Sequence, residues 1–149
     1  MLILGYIMQP LELNQVWLAS FSSSDVAKKI GEKLTRTLGF EHHYQLARLA
    51  MGRALAEATL PTAADARGHN IKGNQLFGGE QEGGLTWVAL FVERIQQLKP
   101  EQPITLTELQ SIVRDHWSYG IELLAADWRE ANERYERFIE LLVDRAHWP

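Results

Sequence analysis

Apolar positions recur at helical spacing along most of the chain, which predicts a mainly helical protein. Residues 12–21 are the exception. There Val16 and Leu18 alternate with Trp17, Ala19 and Phe21, and a short strand or extended arm is expected. Ser22-Ser23-Ser24-Asp25 is a helix start, because small oxygen-bearing side chains cap free N–H groups and an acid suits the positive end of the dipole. That helix should run to Leu38 and stop at Gly39, with Val26, Ile30 and Leu34 as its buried stripe. A second helix covers about residues 42–58. Apolar side chains ring it almost completely, so it should lie at the centre of the core, with Arg48 and Arg53 reaching an edge or a carboxylate.

Pro61 ends the second helix, and residues 61–84 read as a long loop holding Gly68, Gly73, Gly78, Gly79, Gly83 and Gly84. A third helix at 85–98 should bury Trp87, Leu90, Phe91, Ile95 and Leu98. Thr105 and Glu108 form a capping-box pair ahead of a fourth helix, which Gly120 should bend or break. A final helix at 121–146 carries Leu124, Trp128, Ala131, Tyr135, Phe138 and Leu142 at heptad-like spacing. This seam must pack on the rest of the domain, on another subunit or on a partner, and Trp128, Tyr135, Phe138 and Leu142 are its candidate interface residues. The expected fold is mainly α: one helical domain over residues 1–149, of about five helices with a short N-terminal strand or arm.

Composition narrows the function. With 149 residues the chain is long enough to bury a core without staples. It has no cysteine, which excludes disulfides, thiolate metal sites, iron–sulfur clusters and cysteine nucleophiles. The net charge of −4 excludes a uniformly basic surface, but the charge is uneven. Residues 1–60 carry six basic and five acidic side chains, whereas residues 100–149 carry five and ten. The apolar run at residues 1–8 is brief and lacks a positive flank, so neither a signal peptide nor a membrane anchor is expected. A cytoplasmic protein with no membrane partner is the expectation.

The usual catalytic patterns are missing. His42 and His43 are adjacent and would diverge on a helix, His69, His116 and His147 are far apart in sequence, and no metal is expected. No Gly-x-Ser-x-Gly or nucleotide-binding glycine loop occurs. Glu80 and Glu82 read as solvated loop acids, and Lys72 as a loop lysine able to meet a phosphate. The clearest chemical feature is Lys28, Lys29, Lys33 and Arg36, four cations in nine residues of the first helix. Against phosphates such a face supplies salt-sensitive, sequence-independent affinity. The alternative is an ordinary solvated helix face.

Three stretches together resemble the DndE family. Residues 39–55, with Arg48-Leu49-Ala50 at their centre, resemble that family's Arg-Leu-Ala helix. Residues 74–80, Asn-Gln-Leu-Phe-Gly-Gly-Glu, leading into the apolar residues 87–92, resemble its Gly-Glu turn and following helix. His116-Trp117-Ser118-Tyr119-Gly120, followed by Ile121, resembles its His-x-x-x-Gly signature. The resemblance covers about residues 14–126, leaving 127–149 as an acidic C-terminal extension. It implies a small helical accessory component of bacterial DNA phosphorothioation. Such a component would be non-catalytic and cofactor-free, would form tetramers, and would bind duplex or nicked DNA through surface lysines beside other proteins of the system. The expected DNA-binding residues are Lys28, Lys29, Lys33 and Arg36, with Lys72 contributing. The N-terminal strand and two helices also resemble a ribbon-helix-helix start, which leaves a transcriptional regulator as an alternative. The aromatic C-terminal seam leaves a protein–protein adaptor as another.

Overall fold

The computed structural model describes residues 11–146; the apolar run at 1–8 and His147 lie outside the described residues. Seven α-helices and one two-stranded antiparallel sheet occur among the described residues. In order they are α1 (Leu13–Leu18), β1 (Ser20–Ser22), α2 (Asp25–Leu38), α3 (His43–Leu55), β2 (Asn70–Lys72), α4 (Gly73–Leu76), α5 (Gly84–Leu98), α6 (Leu106–Glu130) and α7 (Tyr135–Arg145), with a 3-10 turn at Glu80–Glu82. The mainly helical class is as expected. The chain is organised as two compact units.

The first unit holds the described residues through Phe21 together with Asn70–Val113. Its core is aromatic: Phe21 meets Phe77 edge-on at 5.1 Å between ring centroids, and Phe77 lies 6.5 Å from Phe91. Most of the expected N-terminal arm is helix α1. Val16 is its buried residue, and Leu18 is 72% exposed, so the apparent apolar alternation does not mark two sheet faces. Extended structure is confined to β1, which pairs with β2 of the same chain. A ribbon-helix-helix strand would instead pair with a second copy. β2 and α4 also give order to what the sequence suggested was loop. In α5 the buried face is Gly84, Val88, Phe91 and Ile95. Leu90 and Leu98 are exposed, contrary to expectation, because the helix turns its 84–88–91–95 stripe inward.

The second unit holds Ser22–His69 and the chain from Arg114 onward. α3 buries Leu46, Ala47, Ala50, Met51 and Ala54, as its apolar ring required. Gly120 does not break α6. A Cβ there would sit 1.8 Å from the Ala50 carbonyl oxygen, so glycine lets α6 cross α3 at backbone contact. The helix breaks instead at residues 131–134, where Asn132 (φ 56°) and Glu133 (φ 57°) take left-handed conformations. The break turns α7 back, and Trp128 meets Phe138 edge-on at 5.4 Å.

Candidate nucleic-acid interface

The basic residues of α2 are presented by a helix fixed at both ends. The Ser24 hydroxyl accepts the Ala27 N–H at 3.0 Å, satisfying one free donor of the first turn. The Ser24 backbone N–H in turn donates to Ser118 Oγ of α6 at 2.9 Å. At the other end Gly39 adopts φ 79° and closes the helix. The side facing inward is Ala27, Gly31, Leu34 and Thr35. Small residues let the helix sit close: a Cβ on Gly31 would lie 3.6 Å from Ile121 and 3.8 Å from Leu46. The Thr35 hydroxyl is satisfied by the Gly31 carbonyl at 2.7 Å. This differs from the Val26–Ile30–Leu34 stripe expected from hydropathy. Val26 is 52% exposed, because close helix approach favours the small residues one position on.

With that face inward, Lys29, Lys33 and Arg36 are exposed together. Their spacing keeps them within roughly 60° of one another around the axis and spreads them over about 10 Å along it. Lys29 also pairs with Asp25 at 3.1 Å, a pair in which the lysine side chain remains 75% exposed. Such pairs are weak and exchange readily for a phosphate. Lys33 lines a groove of about 270 Å³ between α2 and α6, which Arg129 and the acidic Glu133 also line. Arg129 therefore adds a cation from another helix. Sequence reasoning missed it, because nothing in the spacing links residue 129 to residue 33.

Lys28 is half-buried and turned away from this row, beside an imidazole cluster. His43 packs on His69 at 4.3 Å between ring centroids, while the adjacent His42 stacks on Tyr44 at 5.1 Å. His69 Nε2 lies 3.6 Å from Glu32 Oε1. Burial, then the neighbouring His43 and Lys28 charges, hold the His69 imidazole below its ordinary range, and Glu32 only partly opposes them. Near neutral pH His69 thus adds little positive charge to this side of α2. Among the described residues no group of three or more His, Asp or Glu side chains is placed to hold a metal ion.

Lys72 belongs to the first unit, whereas the α2 cations belong to the second. It lies in strand β2 rather than in a loop, and its Nζ donates to the Leu18 carbonyl at 3.3 Å. The four candidate seam residues also separate. Trp128 and Phe138 are buried against one another, so they stabilise the fold. Tyr135 is 59% exposed, and Leu142 is half-buried at the edge of a groove between α3 and α7. A continuous heptad seam does not form, because residues 131–134 divide it between two helices.

The sequence leaves Arg53 either an edge or a carboxylate to reach, and the structure gives it carboxylates. Arg53 Nε donates to Asp127 Oδ2 at 2.8 Å, and its Nη1 pairs with Glu57. Arg145 of α7 pairs with both Asp127 and Glu130. Asp127 is only 2% exposed and joins α3, α6 and α7. Burial opposes the Arg53 cation, but the Asp127 and Glu57 hydrogen bonds more than offset this and keep its pKa raised. Arg48 lies over the Tyr44 ring at 4.6 Å. Among the described residues no helix is long and apolar enough to cross a membrane.

A family model described as DNA sulphur modification protein DndE matches residues 21–132. The matched span begins within β1, runs through the end of α6 and ends before α7. No curated protein matches the chain.

Proposed function

The chain belongs to the DndE family of DNA sulphur modification proteins, and from that premise we propose that it holds DNA for this modification through the exposed cationic face of α2. The carrying observation is the row Lys29, Lys33 and Arg36 on a helix whose opposite side is locked to α3 and α6. Three cations over about 10 Å of axis suit about three successive phosphates of one strand. Arg129 extends the same face, and Lys28 and Lys72 are lesser contributors, the first half-buried and the second on the other unit. Binding of this kind reads the backbone rather than the bases. The protein turns nothing over in this reading, needs no cofactor, and acts in the cytoplasm with other proteins of the modification system.

One protomer offers too few cations for tight binding at physiological salt. We infer a homo-oligomer, a tetramer in the family's manner, that repeats the α2 face and multiplies its phosphate contacts. The ribbon-helix-helix regulator gains no support, because β1 pairs with β2 of its own chain.

Fluorescence anisotropy with intact and nicked duplexes over a salt series tests the reading. Each engaged protomer should contribute a slope of log K against log salt of about −2.7. Reversing Lys29, Lys33 and Arg36 to Glu should abolish binding and leave the circular dichroism spectrum unchanged. Undiminished binding by that variant at low salt would overturn the assignment.

A further inference from the structure

The match to the family model ends at residue 132, and α7 beyond it carries an exposed apolar stripe. Tyr135 is 59% exposed, Ile139 41% and Val143 58%. Spaced four apart, they fall within about 80° of one side and extend about 12 Å along the axis. Their opposite numbers, Phe138 and Leu141, are buried. The stripe is thus additional to the face that α7 uses to fold. The exposed leucines of α5 do not make such a three-residue stripe: Leu85 lies about 140° around the axis from Leu90 and Leu98. Clustered apolar exposure of this kind marks an interaction surface.

Charge limits what can cover it. Glu136, Glu140 and Asp144 follow the three apolar residues one position on, and all are exposed. They form an acidic border along one edge of the stripe, partly relieved by the exposed Arg137–Glu140 pair at 3.1 Å. DNA and anionic lipid would meet like charge there. An antiparallel second copy of α7 would set this border against itself. A partner helix with its own apolar stripe and a lysine- or arginine-lined edge satisfies both features at once. We propose that α7 docks a basic-edged amphipathic helix of another protein through Tyr135, Ile139 and Val143, with Glu136, Glu140 and Asp144 setting the charge preference. This surface is independent of the α2 face and of any DNA bound there.

The test uses the full chain and two synthetic helical peptides with the same leucine stripe, one edged with lysine and one with glutamate. Isothermal titration should show the lysine-edged peptide binding at least ten-fold more tightly. I139K, or V143K should the first unfold, should remove that binding while leaving DNA binding unchanged. The triple variant E136K/E140K/D144K should reverse the peptide preference. Equal affinity for the two peptides, or no binding of either, would overturn the proposal. So would a concentration-dependent oligomer in analytical ultracentrifugation that I139K dissolves, since a second copy would then be the occupant.

Discussion

Two charged regions of the second unit behave as opposites. On α2, Lys29, Lys33 and Arg36 stand in solvent, and Lys29's pair with Asp25 is open to exchange. Around Asp127 the charges are matched: the buried Arg53 and half-buried Arg145 both meet the buried Asp127, and each also pairs with a second carboxylate, Glu57 or the exposed Glu130. Burial decides the difference. A buried ion must be paired because lost hydration has to be replaced, whereas an exposed one keeps its water and gives it up only to a partner. The first region is therefore available for binding. The second holds three helices in place.

Removing the central acid should have the largest effect. Asp127→Ala leaves Arg53 buried beside an empty position and should cost about 3–5 kcal/mol in denaturant unfolding. A loss below about 1 kcal/mol would mean that the network is ornamental and the contrast false. Gly120→Ala should come next. Its Cβ meets the Ala50 carbonyl, and separating α3 from α6 should cost about 1–3 kcal/mol despite alanine's better helix propensity.

The triple reversal on α2 should sit at the other extreme for stability. Its melting curve should show a change within about 0.5 kcal/mol, because the three residues are exposed, while duplex binding disappears. A large loss of stability would place those residues in the fold rather than at an interface.

The smallest expected effect is that of pH at His69. Its folded pKa is lowered below the ordinary 6.5, so the folded state prefers the neutral ring. The stabilisation is complete above that value and is lost as the pH falls below it toward the folded pKa, because the unfolded chain takes up the proton first. His69→Gln should flatten the loss of stability that sets in as the pH falls through 6.5. An unchanged profile would remove His69 from the electrostatics of this side of α2.

Local chemistry was the legible part of the chain. The Ser24 and Gly39 caps, the apolar ring of α3, the row of α2 cations and the family motifs all depend on residues close in sequence, where geometry follows from helical spacing alone. The short N-terminal strand is legible in part: it forms as β1, whereas residues 13–18 form α1, because Val16 and Phe21 are buried from two different elements rather than from one sheet face. The final seam was misread because heptad spacing continues through residues 131–134, although the backbone there is left-handed.

The sequence by itself determined that this is a helical, cysteine-free chain of the DndE family, with cations gathered on one helix and acids near its end. Only the tertiary structure decided which face of α2 turns inward, that Gly120 is a crossing point rather than a break, and that Arg53 reaches the distant carboxylate of Asp127 as well as the nearby Glu57. The physical reason is distance along the chain. Capping and periodicity act within a few residues, whereas close helix approach and buried charge pairing join residues 70 and more positions apart.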